Sequence, residues 1–134
     1  MNTDELVLHF FPDPAYTAKA VEAFAAMGAL SRPVAVDETA QTVGYLAGLP
    51  GQESAPRPLV LPKFDEPIMV LCGFSRPRMD ALFSVMREAG TPPPDRKAIL
   101  TPTNMGWTLD ALYDELGREH EAMHGVKKKK QEDL

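Results

Sequence analysis

Apolar residues along this chain fall into two patterns that take turns, short near-continuous runs and stripes at helical spacing, and the turns read as strands followed by helices. Leu6-Val7-Leu8-His9-Phe10-Phe11 ends at Pro12 and predicts a strand buried on both faces, as in a parallel sheet. Asp13 and Pro14 then supply a side-chain cap and a first-turn proline. Ala20, Val21, Phe24 and Met27 follow at helical spacing until Gly28. Val34-Ala35-Val36 predicts a short second strand, and Asp37 opens a weaker helix through Ala40, Val43 and Ala47 to Gly48.

Prolines interrupt the pattern across 49–66, which predicts a connector; Leu59-Val60-Leu61 within it is a candidate edge strand. The same order then returns. Ile68-Met69-Val70-Leu71-Cys72 is a strand closed by Gly73, and Ser75 caps a helix carrying Met79, Leu82, Phe83 and Met86 as far as Gly90. Pro92 to Pro94 turn the chain into a strand at Lys97-Ala98-Ile99-Leu100-Thr101. Thr108 caps a last helix, whose stripe is Leu109, Leu112, Tyr113 and Leu116 and which is expected to end near His124.

Two β-α-β-α half-repeats, 5–48 and 67–124, therefore make one α/β domain over 1–126, with a basic and acidic disordered tail at 127–134. Matching core positions superpose at shifts of 63, 62 and 69 residues, as an internal duplication would leave them. The expected architecture is a small four-stranded, mainly parallel sheet of order 2-1-3-4 with helices on both faces; a ferredoxin-like α+β arrangement is the alternative. In a parallel sheet ligands bind beyond the carboxyl ends of the strands where the order reverses. That would place a crevice between Phe11-Pro12-Asp13 and Gly73-Phe74-Ser75-Arg76, with His9 beside Cys72.

Composition narrows the chemistry. The chain has 134 residues, 44% hydrophobic and 25% charged, enough for one ordinary core. A net charge of −5 argues against general nucleic-acid binding, and Lys127 to Lys130 are followed at once by acidic residues. The single cysteine excludes an intrachain disulfide, and with no secretory or membrane-spanning pattern the expected location is the cytoplasm. His120 and His124 can share a helix face, but no third ligand accompanies them, so neither a metal nor another cofactor is expected. Cys72 reads as a small hydrophobe.

Two stretches stand out. Gly73-Phe74-Ser75 before a helix, with Arg76 and Arg78 close by, offers N–H groups and a dipole to an anion. Thr101-Pro102-Thr103-Asn104-Met105-Gly106-Trp107-Thr108 carries an asparagine suited to organising a loop and the only tryptophan, placed to staple a helix entry. Asn104, Trp107, Thr103, Ser75 and Arg76 are the candidate contact residues; no catalytic residue is identified.

Ile68 to Phe74, Lys97-Ala98-Ile99-Leu100-Thr101-Pro102-Thr103-Asn104, Trp107, and Glu115-Leu116 through Glu119-His120-Glu121 resemble an uncharacterised bacterial family, domain of unknown function 3783. The resemblance covers about 68–124. It implies the second-half architecture, points to the Asn104 loop and brings no activity with it. The expected function is a small cytoplasmic binding or regulatory module, not an enzyme, acting through the loops at the carboxyl edge of the sheet. Alternatives are an enzyme using Ser75, Arg76, Thr103 and Asn104 on a small anion, and a structural subunit of an assembly. A homodimer or protein partner is expected through Leu116, His120 and Met123 on the last helix.

Overall fold

A computed structural model describes residues 5–132, and side chains through His120. The first half runs β1 (Leu6–Phe10), α1 (Pro14–Ala26), β2 (Leu30–Pro33), a 3-10 turn (Val36–Glu38) and α2 (Val43–Leu46). The second runs β3 (Ile68–Cys72), α3 (Arg76–Glu88), β4 (Arg96–Ile99), a 3-10 turn (Asn104–Gly106) and α4 (Leu109–Glu132). The sheet order is β2-β1-β3-β4.

β1 pairs parallel with β2, and β3 parallel with β4, but the central pair β1–β3 is antiparallel. The sheet is thus mixed rather than mainly parallel, although order and helix placement follow the expectation. The reason lies in the connector. β2 finishes with Pro33 beside His9, and β3 begins with Ile68 beside Phe10, so the chain re-enters at the end it left. Phe64 pins that return: its ring lies tilted against Tyr113 at 4.0 Å and meets Phe10 edge-on at 4.9 Å, while the Tyr113 hydroxyl accepts the Glu66 amide. The connector 49–66 thus carries a buried aromatic anchor. Leu59-Val60-Leu61 forms no strand and stands exposed.

Strand alternation sorts the core into two layers. Leu8, Ile68, Val70 and Cys72 pack under α2, α4 and Phe64; Val7, Met69 and Leu71 pack under α1 and α3 through Ala20, Phe24, Leu82 and Met86. The halves match in their first four elements, strands of 5, helices of 13, strands of 4 and turns of 3 residues, and differ in the last, where α2 has 4 residues and α4 has 24. The first strands align at a shift of 62 residues (Leu6 on Ile68), not 63, so two pairings, Leu8 with Val70 in the sheet and Thr42 with Thr108 above it, join equivalent positions of the two halves, as an approximate two-fold axis requires.

Helix starts follow the sequence. Asp13 accepts the Ala15 amide at 3.0 Å with Pro14 in the first turn, and Ser75 accepts the Arg78 amide at 3.3 Å. The second strand and helix of the first half do not: β2 lies earlier than Val34-Ala35-Val36, and α2 starts at Val43 on a Thr42 cap rather than at Asp37. The halves accordingly align at a shift of 66 residues there (Val43 on Leu109), not 69. α4 runs through Lys127–Lys130 to Glu132, well past His124. The side chains of that segment, with Met123 and His124, lie outside the described residues.

Candidate functional site

The crevice expected between the carboxyl ends of β1 and β3 does not exist, because antiparallel pairing sends those ends to opposite sides of the sheet. His9 pairs with Met69 and Cys72 with Leu6, and the two side chains face opposite layers. Burial moves both away from chemistry: His9 is pushed down to about 4 and Cys72 up to about 12. No Cys–His pair forms. Across from α3 lies the amino end of β1. Glu5, fully buried, accepts from Arg78 at 2.9 and 2.7 Å, and this pairing holds its carboxyl below the ordinary range. Arg78 also donates to the Met27 carbonyl, which ends α1. The cation expected to serve an anion site is thus consumed in joining the halves.

A concavity of about 560 Å³ runs instead along the free edge of β4. Met79 and Phe83 of α3 form one wall, and Leu112 and Leu116 of α4 the other. Lys97, Ala98 and Ile99 form the rim between them, with Thr101, Thr103, Asn104 and Trp107 closing one end. The Leu100 amide donates to Leu71, so even-numbered β4 residues bond inward and Lys97 and Ile99 turn their backbone groups outward. Lys97 lays its stem toward Phe83, its Nζ 6.0 Å from the ring centre.

Asn104 works on this edge directly. Its Nδ2 donates to the Ile99 carbonyl at 2.9 Å, and its Oδ1 accepts the Thr101 amide at 2.9 Å. A residue of a parallel neighbouring strand makes the same two bonds. The carboxamide therefore stands in for one residue of an absent fifth strand and closes the edge there. The Thr101 hydroxyl accepts the Asn104 amide at 3.1 Å, and the Trp107 carbonyl accepts Val43 N–H at 2.8 Å; Trp107, 38% exposed, lines the groove. Glu38 holds the matching place in the first half: its carboxylate accepts the Ala35 amide at 3.0 Å and pairs with Arg32 at 2.9 Å. A carboxylate cannot donate to the strand carbonyl as Asn104 does. At that edge Pro33 removes the outward N–H instead.

Three of the five candidate residues, Asn104, Trp107 and Thr103, meet in this groove. Ser75 and Arg76 stay outside it, the first as a helix cap and the second loosely paired with Asp80 at 3.9 Å. Lys97, Ile99, Glu115 and Glu119 were not singled out from the sequence, although Lys-Ala-Ile alternation marks a strand with one face to solvent. Leu116 lines the groove, and His120 pairs with Asp95 at 3.4 Å. A smaller cleft of about 360 Å³, walled by Phe11, Tyr16 and Pro92 to Pro94, offers little polar recognition, since Tyr16 already gives its hydroxyl to the Pro92 carbonyl. Among the described residues no group of His, Cys, Asp and Glu can hold a metal, and no helix is long and apolar enough to cross a membrane.

Sheet, layers and groove define a small three-layer α/β domain with a mixed sheet and one open edge. Residues 67–123 match the model of the family described as domain of unknown function (DUF3783), a match that spans β3, α3, β4, the Asn104 loop and α4 through 123. No curated protein and no solved structure matches the chain.

Proposed function

We propose that this chain is a cytoplasmic binding module, not an enzyme, which takes an extended apolar segment of a partner protein along β4. The observation that carries this reading is the β4 edge: outward backbone groups at Lys97 open into an apolar trough, beside a part-exposed tryptophan. A strand added there gains backbone hydrogen bonds, and its alternate side chains fall toward α3 and α4. The enzyme reading needs Ser75 and Arg76 next to Thr103 and Asn104, and neither lines the groove that Thr103 and Asn104 close. Asn104 has both ends of its amide engaged in the loop. The equal lengths of the first four elements and the two pairings of equivalent positions favour, in addition, an origin of the halves by internal duplication.

Trp107, the sole tryptophan, reports on the groove directly. Random heptapeptides selected on the immobilised protein are expected to carry apolar residues at alternate positions and to shift Trp107 emission on titration. Lys97→Pro removes one outward N–H without touching the β3 ladder, and Ile99→Asp places a charge in the trough; each is expected to weaken binding roughly tenfold or more. Selected peptides that bind both variants as well as the parent, with no change at Trp107, would reject the proposal.

A further inference from the structure

Taking the groove as a strand acceptor, the reading on which this inference rests, we infer that the segment it accepts is Leu59-Val60-Leu61 of a second copy of this chain, exchanged reciprocally. Leu59 is fully exposed, Val60 83% and Leu61 60%, an apolar stretch held in water between Pro58 and Pro62. It has not simply come loose. On one side Ala55 exchanges two hydrogen bonds with the Gln41 side chain, at 2.7 and 2.8 Å, and on the other Phe64 is buried in the core. The segment is an arch standing on two anchored feet.

Its hydrogen-bonding pattern fits what β4 leaves open. With Val60 antiparallel to Lys97, these two residues exchange both backbone bonds. Pro58 then falls opposite Ile99, whose carbonyl is already satisfied by Asn104, so a missing proline N–H costs nothing there. Pro62 falls opposite Asp95, just before the strand. Leu59 and Leu61 face Ala98, Leu112 and Leu116 on the α4 side, while Val60 lies beside Phe83.

Charge selects the direction. The Arg96 side chain packs against Tyr113 and Gly117, so α4 runs antiparallel to β4 and brings Glu119 to the amino end of the strand. Antiparallel addition sets Lys63 at that end, whereas parallel addition would send it toward Asn104. Pairing of β4 with its own copy is the poorer solution, because it sets Lys97 opposite Lys97.

Light scattering and sedimentation equilibrium of the full chain test the exchange. Two exchanged tripeptides make a small interface, so a weak dimer is expected that appears as concentration rises. Val60→Asp, at a solvent-exposed site that leaves the fold intact by circular dichroism, is expected to weaken it roughly tenfold or more. Lys63→Glu and Glu119→Lys should each weaken the dimer and the two together restore it. A chain that stays monomeric at every concentration, or a dimer indifferent to Val60→Asp, overturns the inference. If the chain stays monomeric while selected heptapeptides still bind the groove, self-recognition falls and the acceptor reading stands; if neither occurs, both fall.

Discussion

His9 is the residue whose environment most contradicts its chemistry. It is 3% exposed, stacks at 4.9 Å on Phe11, and its buried Nε2 has no hydrogen-bond partner. Desolvation holds its folded-state value near 4 against an ordinary 6.5. Below pH 6.5 the unfolded chain therefore takes up a proton that the folded chain refuses, and stability falls until about pH 4, where the loss levels off. The expected loss at pH 5 is about 2 kcal/mol. Glu5, whose carboxyl is held below 4.5, adds its own loss only beneath that pH, so the two are separable. Urea denaturation at pH 7 and pH 5 should show His9→Phe removing most of the difference; an unchanged difference would place the titrating group elsewhere. A histidine within an apolar run reads from sequence as buried, but its neighbour across the sheet does not. That neighbour is Met69, and no local signal distinguishes it from Cys72.

At the scale of elements, the connector contributes more than its composition implies. Phe64, 6% exposed, touches β1 and α4 at once, and truncation to alanine is expected to cost about 3–5 kcal/mol, read from the denaturation midpoint. A loss under about 1 kcal/mol would mean that the arch is held by Gln41 alone. α1 and α3 were legible because their signals are local: an acceptor at the cap, proline in the first turn, apolar residues at helical spacing. β2 and α2 were misplaced because Leu30-Ser31-Arg32-Pro33 is half exposed and carries no alternation, while four residues are too few for a helical stripe. Gly117 shows the same limit. It sits inside α4, where a β-carbon would meet the Arg96 guanidinium, and nothing in the neighbouring residues signals that contact.

For the molecule as a whole, strand order was legible and strand direction was not. Order follows from which runs are most apolar, and β3 is buried throughout. Direction depends on where the connector re-enters, a long-range outcome of Phe64 and of the Glu5–Arg78 clasp. The groove could be found only in part, through Asn104 and Trp107, because its walls come from α3 and α4, which sequence cannot set face to face. The clasp joins the first strand to a helix of the second half, and removing one partner leaves the other stranded. Arg78→Met is therefore expected to lower the thermal midpoint more than the double change Glu5→Met with Arg78→Met. Equal or additive losses would show that the pair does not act as a unit.

The antiparallel centre has a consequence for any chain that carries only the matched segment. Cut from its companion, β3 exposes five apolar residues and a full row of backbone groups that β1 covers here. The companion could be replaced only by a like strand running the other way, and a second β3 across a true two-fold axis is such a strand. Here the tether makes that encounter intramolecular, replacing dilute association with a high effective concentration that does not fall on dilution. It also frees the two sides to differ: one edge is blunted by Pro33, and the other keeps Asn104, Trp107 and an open trough.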